Sequence, residues 1–577
     1  MLFFLGLPMG WVSSPPVFCA ASETVADRAN ELIRANWRPP LHRLQGVADT
    51  PTPTTRPPSQ PGPPPRIRAR NKGPLGAVDA YMDDFILLAQ GGKRRRRRLR
   101  RVLLHCVEEV FRPPDEKDDK WKKDPNSIKK LRKGDGALET VKVVLGWLID
   151  TVAGTIKLLP HRLDRLLELL DAFLRSRRSY PKRELQRLLG ELRSMVLAIP
   201  GGVGCLSWIQ HQVKQAGERI LLSPHFHDAM DDFRWLAKDV GGRPTRFGEV
   251  VPEVPLYTGT SDAAEPGAGG VWLPDGDQLY QAAVRDDTLA PSLATDRGPA
   301  VAAVVADRAA ARAVSPESIE GASSGTRDHP TGWKHACSGQ DSAPLATATR
   351  RDPPPLDGPI LWRHRWPREI SSQLVSFDNP TGSINNSELE LGGTLAGNAV
   401  LVSVADVAET TTATGTDNAA GLSWATKGAV STTAPASYLL RLSSMHQRVH
   451  RYQQRNFFIP GDANGMADDC SRLWHLDDQE LLDYFESTYP QSKPWRLCHL
   501  DADTASAIHT ALLCQRRPLP DAAPVGLPRE GTDRAQLPSP DAPGTSRRAP
   551  QRTAIESASS RLWENAVTPG SRRPRHQ

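Results

Sequence analysis

Residues 80–90 read AYMDDFILLAQ and place two adjacent aspartates, Asp83 and Asp84, inside an otherwise apolar run. Two like charges in an apolar strand are costly unless another group neutralises them. A tight turn between two strands removes this cost if the carboxylates hold divalent metal against phosphate, because Mg²⁺ prefers hard oxygen ligands. The alternative for an isolated pair is an ordinary surface turn. The neighbouring motifs therefore have to decide between the two.

The charge of the chain is unevenly distributed. The formal net charge is +7 over 577 residues, and the run Lys93–Arg101, KRRRRRLRR, follows shortly after the aspartate pair. Such a run indicates a polyanionic partner, and its position favours nucleic acid. A solvated basic tract or a nuclear-import signal is the alternative.

Seven cysteines without a C-x-x-C pair argue against a disulfide framework and against a zinc ribbon. The first twenty residues are apolar, but they lack a basic n-region and are interrupted by Gly6, Pro8 and Gly10, so they do not fit a secretory signal. No run of eighteen apolar residues occurs, and no membrane span is expected. These features predict an intracellular protein.

Several segments have the periodicity of regular structure. Residues 141–159 alternate apolar and β-branched residues around Gly154, which predicts a hairpin, and YTGTSDAAEPGAGGVWLP from Tyr257 predicts two strands joined by a turn. Residues 38–74 are rich in proline and threonine, which predicts an extended loop. Two amphipathic helices are predicted, the second with Pro181 in its first turn. Their apolar stripes are Leu163, Leu166, Leu167, Leu170 and Leu174, and Leu185, Leu188, Leu189, Leu192 and Val196.

The aspartate pair stands between two further motifs. YMDD at Tyr81–Asp84 is preceded by LPMGWVSSP at Leu7–Pro15 and followed by LGW at Leu145–Trp147. Together these motifs resemble the palm of a reverse transcriptase, most closely that of Pol polyproteins from long-terminal-repeat and DIRS-type retroelements. The resemblance implies catalytic and magnesium-binding roles for Asp83 and Asp84. It also implies substrate-binding roles for Tyr81 and Met82 beside the primer end and the nucleotide, for Pro8 and Gly10 at the nucleotide and template, and for Gly146 and Trp147 at the primer.

One departure from this family bears on activity. In the family, the first palm carboxylate lies on a strand that precedes the LPxG segment, so here it would fall before Met1, together with the fingers. Asp83 and Asp84 then form half of a metal site. We therefore predict little or no polymerase activity from this chain by itself.

Four acidic residues in the C-terminal half have settings suited to metal binding. They are Asp262 in YTGTSDA, Glu390 in NNSELELGG, Asp417 in TGTDNAAGLSW and Asp468 in IPGDANGMADDCSRLWH. Their order resembles a retroelement ribonuclease H domain, with one carboxylate on a central strand, one on the helix after the third strand, one at a strand end before a helix and one at the start of the closing helix. The resemblance implies that all four are catalytic and hold two Mg²⁺ ions, with Mn²⁺ as a substitute. It also implies an RNA/DNA hybrid, or another nucleic acid, as the partner.

Each of these acids has a structural alternative. Asp262 and Asp417 suit strand-end caps, Glu390 suits the first turn of a helix, and Asp468 suits an N-cap. Any one of them alone favours the structural interpretation. The four together, in this order, favour the metal site.

Some assignments have close competitors. Glu388 competes with Glu390, and Asp469 competes with Asp468. The A-D-x-x-S-R spacing favours Asp468, and Leu391 with the small residues after it favours Glu390. His446 and His450 have the i, i+4 spacing of a zinc pair on a helix, but a solvated basic face is the favoured interpretation.

The chain is therefore predicted to be a multidomain α+β and α/β protein. A partial reverse-transcriptase palm at 1–160 carries a Pro-rich insertion at 38–74, and a helical thumb or connection follows at 161–245. A ribonuclease H-like mixed sheet with flanking helices is predicted at 256–500, with an insertion at 284–356 and a disordered tail at 514–577. The predicted function is that of a retrotransposon reverse transcriptase/ribonuclease H fragment. The alternatives are a nucleic-acid-binding remnant without turnover and a decayed product without function; no oligomeric state is predicted.

Overall fold

A computed structural model describes two compact units, one ending at Val144 and the other beginning at Leu145. The described residues are 14–51, 75–118, 122–173, 176, 178–215, 217–222, 224–274, 356–430 and 434–515. The predictions for Pro8, Gly10, Leu174, residues 52–74, nearly all of the 284–356 insertion and nearly all of the tail lie outside these residues. The protein is a mixed α+β multidomain protein, as predicted, and the finer domain boundaries remain predictions. No helix in the described part combines the length and the apolarity needed to cross a bilayer.

The first unit has a small core between two helices and a hairpin. Its elements are α1 (Ser14–Arg34), α2 (Gln45–Ala48), β1 (Gly76–Tyr81), β2 (Asp84–Ala89), α3 (Lys93–Val110), α4 (Ile128–Arg132) and β3 (Val141–Val144). Val25 of α1, Val78 of β1 and Val102 of α3 meet in its core. Asn30 of α1 both donates to and accepts from the backbone of Val78, each at 2.8 Å, so α1 satisfies the free edge of β1.

The hairpin of the first unit carries the YMDD motif at its tip. Strands β1 and β2 are antiparallel and Tyr81 pairs with Asp84, so Met82 and Asp83 form a two-residue loop. Met82 has φ +54°, in the left-handed region that costs a non-glycine residue free energy. The predicted tight turn between two strands is confirmed.

The proline-rich stretch differs from the expected extended loop in its described part, residues 38–51. His42, Leu44 and Ala48 are buried there, and α2 forms one short turn. The physical reason lies in the basic run, because the guanidinium of Arg100 donates to the carbonyl of Ala48 at 2.6 Å and pairs with Asp49. Prediction from composition fails here because the stabilising cation is remote in sequence.

The second unit begins with the predicted hairpin and the predicted helices. Its first elements are β4 (Trp147–Asp150), β5 (Thr155–Leu158), α5 (Pro160–Asp171), β6 (Ser179–Pro181), α6 (Lys182–Val196), α7 (Val203–Gln215), β7 (Arg219–Leu221), α8 (Pro224–Gly242), β8 (Thr245–Arg246) and α9 (Phe247–Val250). Strands β4 and β5 are antiparallel, with Gly154 at φ +64° in the turn. Leu166 and Leu170 of α5 and all five predicted apolar positions of α6 are buried in one core.

The rest of the second unit is a six-stranded mixed sheet with flanking helices. Its elements are β9 (Tyr257–Ala263), β10 (Gly267–Leu273), β11 (Ile360–Arg365), α10 (Arg368–Ser371), α11 (Asn386–Val404), β12 (Thr411–Thr416), α12 (Ala419–Lys427), α13 (Ala434–His450), β13 (Gln453–Phe458), α14 (Gly465–Arg472), α15 (Asp478–Thr488), β14 (Arg496–Cys498) and α16 (Ala502–Leu512). The strand order is β13-β12-β9-β10-β11-β14. Strands β9, β10 and β11 form an antiparallel meander, and β12 and β13 run parallel to β9.

The long stretch between Asp262 and Glu390 is accommodated at one place in this sheet. Trp272 near the end of β10 pairs with Ile360 at the start of β11, so residues 274–359 connect two neighbouring antiparallel strands. The second and third strands of the meander both form outside the predicted insertion. The predicted strand–strand–strand–helix order is therefore confirmed.

A buried ion network joins helices α8 and α9 to helix α13. Arg448 of α13 has 0% of its side chain exposed and contacts the carboxylates of Asp239 and Glu249. Its guanidinium also donates to the hydroxyl of Thr245 at 2.8 Å and to the carbonyl of Arg243 at 2.6 Å. The donors of this buried cation are thus met by acceptors, which is the condition for tolerating a charge in a protein interior.

The prediction of a solvated basic face around His446 and His450 is wrong. Burial lowers the pKa of His446 to about 3 and also lowers the pKa of His450. The Nδ1 atom of His446 lies 3.0 Å from the hydroxyl of Tyr452, which is fully buried. An i, i+4 spacing does not distinguish an exposed helix face from a packed one. Here α13 packs against helices on more than one side.

A second histidine pair ties α16 to the sheet and predicts sensitivity to acid. The Nε2 atoms of His364 and His509 lie 2.8 Å apart, so one ring donates and the other accepts. Burial, followed by the charge of His509, lowers the pKa of His364 from 6.5 to about 4. At His364 the unfolded chain binds more protons than the folded chain between these values, so the contribution of His364 to stability falls as the pH drops from about 6.5 to about 4 and levels off below.

Chemical unfolding followed between pH 4 and 7.5 checks this expectation. His364→Phe should flatten the fall in stability, whereas His475→Phe, at an exposed histidine, should keep it. An equal slope of the unfolding free energy against pH in the wild type and in His364→Phe would show that the pair does not titrate on unfolding.

Candidate metal centre

Asp262 lies on β9, at the centre of the sheet, and only 3% of the residue is exposed. A buried carboxylate at this position needs partners. The Ser471 hydroxyl of α14 donates to Asp262 Oδ2, and Ser471 itself is fully buried. The predicted position on a central strand therefore comes with a hydroxyl that fixes one carboxylate oxygen.

Glu390 lies in the first turns of α11 and is 3% exposed. Thr394 and Asn398 follow it at i+4 and i+8, so the three form a polar stripe on the sheet side of an otherwise apolar helix. Thr394 Oγ1 lies 3.2 Å from the hydroxyl of Ser261 on β9. Asn398 donates to Thr414 on β12 at 3.2 Å. These bonds fix the register of α11 against the sheet and set Glu390 opposite Asp262.

The competitor of Glu390 has a structural role. Glu388 and Asn385 form a capping box, in which the Asn385 backbone N–H donates to Glu388 Oε2 at 2.9 Å and the Glu388 N–H donates to Asn385 Oδ1 at 3.2 Å. Glu388 thus belongs to the start of α11, and Glu390 is the glutamate that reaches the centre.

Asp417 directly follows β12 and precedes α12. The next residue, Asn418, caps α12 by accepting from the Gly421 N–H at 2.8 Å. The chain therefore turns at the end of β12 and presents Asp417 beside Asp262, which lies near the same end of the neighbouring parallel strand β9. Gly461 lies close to Asp417, since a Cβ built there would stand 3.2 Å from Asp417 Oδ2.

The three carboxylates converge on one point. One ligand oxygen each from Asp262, Glu390 and Asp417 lies within 4.8 Å of the others, and among the described residues this is the one group of three or more His, Cys, Asp or Glu side chains so arranged. Burial raises the pKa of Glu390 to about 9, and the charges of Asp262 and Asp417 add to this. Burial, followed by the charge of Asp262, also raises the pKa of Asp417.

The chemistry of this group fits a divalent cation. Glu390 Oε2 is buried without a hydrogen-bond partner in the described structure, and Glu390 is one of the three converging acids. A hard cation would remove the repulsion and supply the missing partner. The carboxylates line an open cavity of about 610 Å³, together with Asn386, Asn418 and Arg472.

Asp468 lies at the edge of this centre, on α14. Its side chain is 41% exposed and forms an ion pair with Arg472 at 2.6 Å. Burial raises the pKa of Asp468 and the charge of Asp262 adds to this, whereas Arg472 opposes the shift. Its competitor, Asp469, accepts hydrogen bonds from the hydroxyls of Tyr484 and Tyr489 at 3.0 and 2.7 Å, which is a packing role.

The YMDD turn is a separate site in the first unit. Tyr81 and Met82 are exposed, and Lys130 of α4 pairs with Asp84 at 3.0 Å. Within the described residues, no third acidic, histidine or cysteine ligand joins Asp83 and Asp84 around a common point. A lysine is therefore the partner that the structure places beside Asp84.

The LGW motif lies at the start of the second unit. Gly146 has φ +81°, and a Cβ there would stand 2.4 Å from a nitrogen of Arg162, so the turn requires glycine. Trp147 is only 6% exposed. The primer-binding roles of both residues remain predictions.

The residues that position the carboxylates were not identified as such in the sequence. Ser471 was noted only as part of the A-D-x-x-S-R spacing around Asp468. Thr394 and Asn398 were not singled out in the sequence. The signal for the stripe is a polar residue at every fourth position of a helix that is apolar elsewhere. Such a stripe indicates a buried polar seam.

The fold and this centre define a mixed α+β protein with a carboxylate cluster suited to divalent metal at the ends of its inner strands β9 and β12. No protein-family model and no curated protein sequence matches the chain.

The chain has a distant likeness to several solved structures, among them two complexes. One is the foamy viral protease-reverse transcriptase dRH in complex with double-stranded DNA, at 12% identity over 34% of this chain and 30% of that chain. The other is the foamy viral protease-reverse transcriptase in complex with an RNA/DNA hybrid, at 9% identity over 69% of this chain and 59% of that chain. The TM-score is 0.21 in both cases, and this chain spans less than two thirds of either solved chain.

Proposed function

We propose that the second unit is a magnesium-dependent ribonuclease that cuts the RNA strand of RNA/DNA hybrids, within a reverse transcriptase/ribonuclease H fragment of a retroelement. One observation carries the proposal: Asp262, Glu390 and Asp417 bring carboxylate oxygens within 4.8 Å of one another, and one buried oxygen of Glu390 lacks a partner. Structural acids cap helices or pair with bases. Three converging carboxylates are instead the donor set of a metal site.

The chain's own residues divide the work. Asp262, Glu390 and Asp417 hold the metal, and Asp468 extends the acidic edge of the site. When bound, Mg²⁺, or Mn²⁺ in its place, activates water and neutralises the charge that develops on a phosphodiester during in-line displacement. Ser471 and the polar stripe on α11 keep the carboxylates in place before any ligand arrives.

Arg472 brings a positive charge to the same cavity. It lines the cavity, and its side chain is 60% exposed while pairing with Asp468. A guanidinium at the rim suits a phosphate, because its planar fork matches two phosphate oxygens. We infer that Arg472 meets the backbone of the bound strand.

The first unit is proposed to lack polymerase activity in this chain. Asp83 and Asp84 lie on an exposed turn, and Lys130 pairs with Asp84. Two carboxylates beside a lysine bind divalent metal weakly, because the lysine competes for the same oxygens. This supports the alternative function for the first unit, namely nucleic-acid binding without turnover.

The test is cleavage of a labelled RNA strand in an RNA/DNA hybrid by the full chain. We expect cleavage with Mg²⁺, none with EDTA, and products that end in 3′-hydroxyl and 5′-phosphate. Asp417→Asn should give the background, and Asp462→Asn, at an exposed aspartate outside the centre, should retain activity. Binding of the hybrid without magnesium-dependent cleavage would reject the ribonuclease and leave the nucleic-acid-binding remnant.

Ser471→Ala should raise the magnesium requirement of this reaction. Loss of a hydrogen-bond partner to a metal ligand costs about 10–100-fold in metal affinity. The expected result is a rise of that order in the Mg²⁺ concentration for half-maximal cleavage, with nearly unchanged cleavage at saturating Mg²⁺. Ser487→Ala, at an exposed serine of α15, is the matched control. A lower maximal rate at an unchanged magnesium requirement would contradict a role in positioning Asp262.

A further inference from the structure

The basic run KRRRRRLRR forms the first half of helix α3 in the first unit, and its cations face two different environments. Leu99 and Arg100 are buried, whereas Lys93 and Arg94 are exposed. A freely solvated tract would not show this difference between neighbours. The fold therefore divides the run into a structural set and an outward set.

The structural set consists of arginines that contact oxygen atoms of the same unit. Arg100 pairs with Asp49 and donates to the carbonyls of Ala48 and Gly136. Arg97 lies 3.4 Å from Asp49, and Arg101 donates to the carbonyl of Pro39 at 3.2 Å. These contacts hold the segments that contain Pro39, Ala48, Asp49 and Gly136 against α3.

The outward set consists of Lys93, Arg94 and Arg98, of which Lys93 and Arg94 are exposed and Arg98 is half-buried. Burial and then the charges of Arg95 and Arg38 lower the pKa of Arg98, so positive groups from two segments crowd one another. Within the described residues, no ion pair to an acid is formed by Arg38, Arg94 or Arg98. Four to six positive charges at the start of a helix also oppose its dipole, and like charges at i, i+4 repel.

This arrangement is unfavourable for the protein alone and favourable with a bound polyanion. Arg94 and Arg98 are one helical turn apart, which places their side chains about 5–6 Å from each other at the Cβ atoms. Each strand of a DNA duplex carries one phosphate per about 3.4 Å of helix axis, so more than one phosphate lies within reach of such a pair. Guanidinium groups bind phosphate oxygens in a bidentate manner.

We infer that Arg94 and Arg98 of α3, together with Arg38, form a binding surface for the phosphodiester backbone of a nucleic acid. A single phosphate would leave most of these cations unneutralised, so the polyanion is the better match. The contacts are to the backbone, and the surface should bind without sequence preference. It belongs to the first unit and does not depend on the proposed cleavage.

The test measures binding of the full chain to a fluorescent DNA duplex without Mg²⁺, over a series of KCl concentrations. A DNA duplex contains no RNA strand, so the result is independent of ribonuclease activity. The variant is Arg94→Gln/Arg98→Gln. The control is Arg183→Gln/Arg187→Gln, which removes two arginines with the same i, i+4 spacing from exposed positions of α6.

Removing two phosphate contacts should reduce the slope of log K against log salt by about 1.8, at about 0.9 per contact, with weaker binding at each salt concentration. The control should keep the wild-type slope. Equal losses in both variants would mean that net charge alone acts, and an unchanged slope in Arg94→Gln/Arg98→Gln would mean that nucleic acid does not touch this surface. Either result overturns the inference once circular dichroism shows that the variants are folded.

Discussion

Replacing Glu390 with glutamine is expected to abolish magnesium-dependent cleavage and, at the same time, to stabilise the metal-free protein. The loss of activity should be on the order of 10³-fold or more, because a metal ligand contributes several kcal/mol to charge stabilisation and each 1.4 kcal/mol is tenfold in rate. The gain in stability has a separate cause. Glutamine has the shape of the glutamate and cannot ionise among two other carboxylates.

The pH dependence distinguishes this effect from a general change in stability. The folded protein holds the proton of Glu390 up to a pKa of about 9, whereas the unfolded chain releases it near 4.5. The folded state therefore binds more protons between these values, and the wild type loses stability as the pH rises from about 4.5 to about 9. Glu390→Gln should remove this part of the slope.

Thermal unfolding with and without Mg²⁺ checks both halves of the prediction. The wild type should gain stability with Mg²⁺, and Glu390→Gln should not. Glu388→Gln is the matched control, because glutamine also serves in a capping box, and it should behave as the wild type. A Glu390→Gln protein that is less stable than the wild type without metal would show that the glutamate holds a structural bond.

Arg448→Met is expected to destabilise the second unit by about 3–5 kcal/mol, since removing one partner of a buried ion pair is strongly destabilising. Asp239 and Glu249 would lose a fully buried cation and keep only ion pairs with the partly exposed Arg243 and Arg451. Urea unfolding followed by tryptophan fluorescence measures the loss. Arg187→Met, at an exposed position of α6, should stay within about 0.5 kcal/mol of the wild type.

The double variant Arg448→Met/Asp239→Asn should recover part of this loss, because the second substitution removes the charge of an acid that has lost its closest cation. The interaction free energy from the full cycle then reports the coupling between the two side chains. A loss of stability below about 1 kcal/mol for Arg448→Met would be no larger than that of a surface ion pair. It would contradict the role of the network in joining α8, α9 and α13.

Periodic and motif-bearing segments of this fold were predictable from the sequence. The alternation around Gly154 and the leucines of α6 depend on local spacing, which sequence displays directly. The YMDD turn and the settings of the four acids were accessible through a family resemblance. The choice of Glu390 over Glu388 was predicted on neighbouring small residues, and the structure adds the physical reason, which is the capping box.

Contacts between distant segments were beyond sequence reasoning. Residues 38–51 fold because Arg100, far along the chain, donates to the carbonyl of Ala48 and pairs with Asp49. The histidines of α13 are half-buried because helices pack around them, which no local pattern reports. Ser471 and Asp262 likewise lie in remote segments, so their hydrogen bond was not predictable.

The pairing of Trp272 with Ile360 at the ends of β10 and β11 has a consequence for how this sheet tolerates change. The entropic cost of closing a flexible connection grows only with the logarithm of its length, so extending a hairpin link from about four to about eighty residues costs about 3 kcal/mol. The connection leaves β10 at the end opposite to Gly269, which pairs with Asp262, so a longer connection costs chain entropy once and leaves Asp262, Glu390 and Asp417 where they meet.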